Sequence, residues 1–134
     1  MSEARNIDVL NRVIRYCNEI EEAITQCGSS VKALRDNSMY RNASAMCILQ
    51  IGELTTHLTD EFKAVYPDVP WQEIKRMRNI AAHHYGSFDM EKLLETMTED
   101  IPSLKDYCQS IVNQYEIMLQ DAVDEPTEEP DMTM

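Results

Sequence analysis

The stretch Lys75–Tyr85, KRMRNIAAHHY, holds three of the chain's twelve Lys and Arg residues and two of its three histidines. Pro70 lies before it and Gly86 after it. Proline suits the first turn of a helix, where its missing N–H is harmless, and glycine suits the end. The stretch is therefore predicted to lie on one helix from Trp71 to Tyr85. At 100° per residue Asn79 and His83 share a face, and Arg78 nearly aligns with Tyr85. Arg78 and His83 point about 140° apart. Two ways of aiming both at one target stay open. Either the helix loosens before His83, or a second copy of the helix supplies the other group across a two-fold axis.

Outward from this helix the pattern remains helical. Ile7, Leu10, Ile14, Cys17, Ile20, Ile24 and Cys27 recur at steps of three and four, and Gly28 follows as a left-handed stop. Ser29 and Ser30 then cap a short piece from Val31 to Arg35, broken by Asp36, Asn37 and Ser38. Ala43, Cys47, Ile51, Leu54, Leu58, Phe62 and Val65 predict one long helix from Met39 to Tyr66, on the order of 40 Å. The YPDVP run at Tyr66–Pro70 stops it. Asp89 is expected to open a helix through Met97, and Pro102 a last one through Leu119. No segment alternates with period two. The chain is predicted to be all-α, an up-and-down helical bundle over residues 1–120, with no internal repeat.

Composition bounds what such a bundle can do. The 134 residues suit one domain, and only 3 Gly and 5 Pro leave few turn formers. The first residues interrupt every apolar run with charge, and no apolar stretch reaches membrane-spanning length, so a soluble, cytoplasmic chain is expected. Net charge is −12, and residues 121–134 supply half of it, with six carboxylates and no Lys or Arg. This acidic tail has two prolines and little to bury, and is expected to stay disordered. The overall sign opposes a broad nucleic-acid surface yet leaves room for a small basic cleft. Cys17, Cys27, Cys47 and Cys108 lack paired spacing and are read as core thiols. Most methionines are read as gap-filling core side chains, with a helix–helix contact surface as a second use.

On residue type alone the opening stretch has two readings. Arg78, Asn79 and His83 could cap a helix C-terminus, where cations are favoured by the dipole. They also suit a phosphodiester: a guanidinium can fork across two phosphate oxygens, and an imidazole can take or give a proton at neutral pH. Metal ligation does not fit, because the histidines are adjacent and carry no acidic residue at ligand spacing. No cofactor is implied. Lys75 and His84 are read as surface residues, and His57 as a solvated or core-edge residue.

The run YPDVPWQEI at Tyr66–Ile74, then Met77-Arg78-Asn79 and His83-His84-Tyr85, resembles the HepT-like HEPN proteins. Their motif is Arg, four residues, His, one residue, Tyr. Ile51-Gly52-Glu53 and the run Glu99–Leu104 fall where that family carries similar runs. The resemblance covers roughly residues 5–118. It implies a bundle that dimerises along the motif helix, so that two motifs line one cleft. It further implies a metal-independent ribonuclease toxin of a toxin–antitoxin pair, with RNA as substrate. Arg78 and His83 would be the catalytic pair, Asn79 and Glu53 would support them, and Tyr85 would be the hydroxyl to which a minimal nucleotidyltransferase antitoxin adds AMP. The assembly would be a homodimer, or a higher complex with the antitoxin. The alternative is a non-catalytic interaction protein whose cleft binds a partner or nucleotide. Two departures are notable: His84 stands where the family often has Asp or Glu, and Ala81-Ala82 replaces bulkier residues and would admit a neighbouring helix more closely.

Overall fold

Gly28, at φ 102°, ends the first helix, and its N–H bonds the Ile24 carbonyl at 2.8 Å. Only glycine adopts that conformation cheaply, so the stop is written in the residue type. The computed structural model describes residues 2–83, 86 and 88–124. Helix α1 spans Ser2–Cys27, α2 Val31–Asp36 and α3 Ser38–Thr55. Ser30 caps α2 by accepting the Ala33 N–H at 3.0 Å, and Asn37 caps α3 by accepting that of Tyr40 at 3.1 Å. Arg41 donates to the Leu34 and Arg35 carbonyls that α2 leaves unpaired, and the Tyr40 hydroxyl donates to the Gly28 carbonyl at 2.7 Å. These bonds close the α1–α2–α3 corner.

The long helix predicted from Met39 to Tyr66 is two helices. α3 stops at Thr55, and α4 spans Asp60–Val65. Thr55 and Thr56 turn their hydroxyls back onto the Gly52 and Glu53 carbonyls, at 2.8 and 2.6 Å. Thr59 caps α4 by accepting the Phe62 N–H, and its own N–H is held by the Asn6 side chain. Hydroxyl side chains compete with the helical ladder for backbone partners, and a cluster of threonines ends it here. The break keeps Leu58 and Phe62 buried, while Ala43 and Val65, expected inward, are exposed.

Past the loop, the Trp71 indole donates to the Tyr66 carbonyl at 3.0 Å, and the Pro70 carbonyl accepts the first helical N–H of α5, from Ile74. α5 spans Trp71–His83. Asp89 caps α6, Met90–Glu95, as expected. Pro102 opens no separate helix, however. A π-helical turn, Thr96–Asp100, joins α6 directly to α7, Ile101–Asp124. The Ile101 N–H reaches back to Thr96, one residue further than an α-helical bond. The widened turn makes room ahead of a ring that would otherwise strike the preceding carbonyl. α7 also continues through residues 121–124, where an acidic tail is expected from sequence, and the rest of that segment lies outside the described residues.

Pairings between helices fix the topology. Glu19 meets Cys47 and Asn6 meets Thr59, so α1 runs antiparallel to α3 and α4. Glu21 bonds Lys105 and Cys17 lies near Cys108, so α7 runs antiparallel to α1. α5 packs on α3, also antiparallel. The described residues form an all-α, up-and-down bundle with no strand. Its core is continuous through Leu10, Val13, Cys17, Ile20, Ile51, Leu93, Met97, Ile101 and Val112. No described helix is long and apolar enough to cross a membrane.

Cys17, Cys47 and Cys108 are core thiols as expected, and burial pushes them up to about 12, 11 and 12. Cys27 is not: it is exposed in the last turn of α1, beyond the packed face. The methionines divide, with Met77 and Met97 buried and Met39, Met46 and Met118 exposed. His57 is exposed.

Asp100, in the π turn, carries a carboxyl raised above its ordinary 3.8 by partial burial, with Glu95, Glu73 and Glu99 adding to the rise and Lys92 opposing it. A raised acid favours the fold below its unfolded value, and that contribution is lost as pH rises through the folded value. Asp100→Asn is therefore expected to raise the melting temperature at pH 7. The gain should vanish below pH about 4, the unfolded aspartate value; thermal melts across that range check it.

Candidate active site

Gly52 lies buried in the last turn of α3, three residues before its end, where a glycine still weakens the helix relative to alanine. The reason is the crossing of α5. A Cβ at Gly52 would stand 2.2 Å from the Arg78 Cβ, 2.5 Å from its Cγ and 3.3 Å from its Cα. No side chain fits there, and the contacted atoms belong to the root of the Arg78 side chain, which cannot swing away. The absence of a side chain on α3 thus sets how closely α5 approaches and where Arg78 leaves the helix.

The next residue of α3 takes up that side chain. Glu53 Oε2 accepts from Arg78 Nε at 2.9 Å and pairs with Nη2 at 2.7 Å. Arg78 Nη1 donates to Asn79 Oδ1 at 2.8 Å. Among the described residues, three of the guanidinium's five donors are thereby engaged. The Arg78 side chain keeps 26% of its surface exposed and Glu53 43%, so the group is oriented but open. At that exposure an ion pair contributes at most about 1 kcal/mol, and the helix crossing, not the pair, is the stronger anchor.

Glu53, Arg78 and Asn79 are therefore brought together. His83 is not brought to them. α5 stays α-helical through His83, its last residue, so the loosening considered from sequence does not occur before that position. His83 is exposed and diverges from Arg78 by about 140° around the axis. Tyr85 and His84 lie outside the described residues. Ala81 lines an apolar groove of about 220 Å³ with Asn42, Ala45, Met46 and Leu49 of α3. The small residue here opens a surface hollow rather than drawing another helix of the same bundle closer. Among the described residues no group of three His, Cys, Asp or Glu side chains could hold a metal ion.

Gly52 is the residue whose role sequence reasoning missed. Its only signal was an isolated glycine inside a helical pattern, which costs stability and so points to a packing reason without naming the partner.

Residues 13–111 match the HepT-like family, described as ribonuclease HepT-like. A protein of Thermococcus cleftensis named "Probable ribonuclease HepT" is 44% identical over 55 residues, covering 41% of this chain and 50% of the relative. "Putative RNase MJ1380" of Methanocaldococcus jannaschii is 34% identical over 70 residues, covering 52% and 64%. "Putative RNase TTE0752" of Caldanaerobacter subterraneus subsp. tengcongensis is 26% identical over 103 residues, covering 77% and 90%. The chain thus spans between half and two thirds of the length of the first two of these relatives. No solved structure matches the chain at comparable significance.

Gly52→Ala is expected to cost about 1–3 kcal/mol through overpacking. Adding Arg78→Ala should not restore stability, because the clash is with Cβ, which alanine keeps. Denaturant melts of the single and double variants check this.

Proposed function

Because the chain belongs to the HepT-like family, we propose that it is a ribonuclease that cleaves RNA by internal transphosphorylation without a metal ion. The 2′-oxygen attacks the adjacent phosphorus as an imidazole, that of His83, takes the hydroxyl proton. The bond from phosphorus to the 5′-oxygen breaks, and the leaving oxygen receives a proton from the imidazolium. The products are a 2′,3′-cyclic phosphate and a 5′-hydroxyl. Arg78 holds the charge that grows on the phosphoryl oxygens, and Asn79 and Glu53 keep its guanidinium aimed.

The observation that carries this reading is the Glu53–Arg78–Asn79 group, a fixed but open guanidinium in a strongly acidic chain. A purely structural arginine would be expected to spend its donors on packing partners and backbone carbonyls, as Arg41 does. The divergence of Arg78 and His83 on one straight helix favours a site shared between two copies. The apolar groove beside Ala81, next to the Arg78 crossing, is suited to receive the second α5 in a homodimer. In this reading the protein is the toxin of a toxin–antitoxin pair. A minimal nucleotidyltransferase antitoxin silences it by placing AMP on Tyr85, which follows His83 by two positions, adding bulk and negative charge beside the cleft.

Purified protein should cut single-stranded RNA in EDTA, and Arg78→Ala and His83→Ala should each lose at least about 100-fold. Mixed and re-equilibrated, the two inactive variants should recover up to about a quarter of wild-type activity, since half the dimers then hold one intact composite site. Cleavage that EDTA abolishes and a divalent ion restores would reject the mechanism. No recovery on mixing would reject the shared site.

A further inference from the structure

The outer face of α5 holds a polar track of which the catalytic reading uses only Asn79 and His83. Gln72, Lys75, Arg76, Asn79 and His83 fall within about 100° of one another around the helix axis. Gln72, Glu73, Lys75, Arg76 and Asn79 line a shallow hollow of about 450 Å³. Three of these side chains bear charge, but they do not count equally. Arg76 and Glu73 pair with each other one turn apart. Lys75 is exposed, and no carboxylate among the described residues forms an ion pair with it. In a chain of net charge −12 it is a free cation at the edge of the candidate site.

Its position is specific. Lys75 lies about 60° around the axis from Arg78 and one turn towards the helix N-terminus, about 6 Å along the axis from Asn79. A strand whose reacting phosphate sits on Arg78 and Asn79 would therefore carry its neighbouring phosphate past the Lys75 ammonium. Lysine suits that use, since a flexible point charge grips a phosphate without fixing its orientation.

We infer that Lys75 binds the backbone phosphate flanking the cleaved linkage of a single-stranded RNA, and that the Gln72–Asn79 hollow is the bed for that nucleotide. This rests on the ribonuclease reading above. The contact is made equally before and during reaction, so it acts on KM and not on kcat. It carries no base information and should be felt alike on every sequence.

The experiment is steady-state cleavage of a single-stranded oligoribonucleotide by wild type, Lys75→Gln and Lys75→Arg in EDTA, repeated over a range of salt. A dinucleoside monophosphate, which lacks the flanking phosphate, serves as a second substrate. For the oligonucleotide, Lys75→Gln should raise KM by about threefold to tenfold at low salt, the worth of one exposed charge-assisted contact. Its kcat should stay within about twofold, since uniform binding is lost. The slope of log KM against log salt should fall by about 0.7, one phosphate contact on a single strand. Lys75→Arg should restore both, and neither variant should alter cleavage of the dinucleoside. An unchanged KM and salt slope for Lys75→Gln, while wild type cuts, would overturn this inference and leave the ribonuclease reading standing. An equal loss on the dinucleoside would also overturn it, by placing Lys75 at the reacting phosphate. A wild type that cuts neither substrate would overturn both.

Discussion

The close crossing of α3 and α5 at Gly52 is the constraint on which the candidate site depends. Backbone on one helix meets the base of the Arg78 side chain on the other, leaving no room for even a methyl group. Everything beyond Cβ then has to leave in one direction, and Glu53 lies along it. Sterics set the origin and course of the guanidinium, while hydrogen bonds set only its final tilt. That order of importance follows from magnitudes: a half-exposed ion pair is weak, whereas interpenetrating helices are not permitted at all.

The bundle around this crossing is shaped by two local irregularities. Three threonines, Thr55, Thr56 and Thr59, cut what would be one long helix, and the break lets Leu58 and Phe62 turn back onto the core. On the other side, the π turn at Thr96–Asp100 absorbs Pro102, so that α6 and α7 form one nearly continuous rod. Both departures satisfy the same demand, that backbone groups find partners while apolar side chains stay inward.

Charge is distributed with the same economy. Among the described residues, seven of the twelve Lys and Arg side chains are paired with nearby carboxylates or carbonyls: Arg12, Lys32, Arg41, Arg76, Arg78, Lys92 and Lys105. On α5 near the candidate site Arg78 is held yet open, and Lys75 forms no ion pair with a carboxylate among the described residues. A net charge of −12 opposes a broad contact with a polyanion and leaves room for a small one beside these two cations. The high net negative charge is thus compatible with a nucleic-acid substrate as long as the contact is small.

The residues by themselves determined the all-α class, the left-handed stop at Gly28, the caps at Ser30 and Asp89, and the motif helix. Each of these is a short-range matter of periodicity, backbone preference or a family spacing. Tertiary structure alone decided that the threonine cluster ends α3, that Pro102 is absorbed by a π turn, that Cys27 faces solvent, and that Gly52 lies against the base of Arg78 with Glu53 beside its guanidinium. Threonine and proline are each tolerated in more than one backbone setting, so local signals cannot choose between them. Gly52 and Arg78 are far apart in the chain, and the contact that makes glycine necessary exists only once two helices have packed.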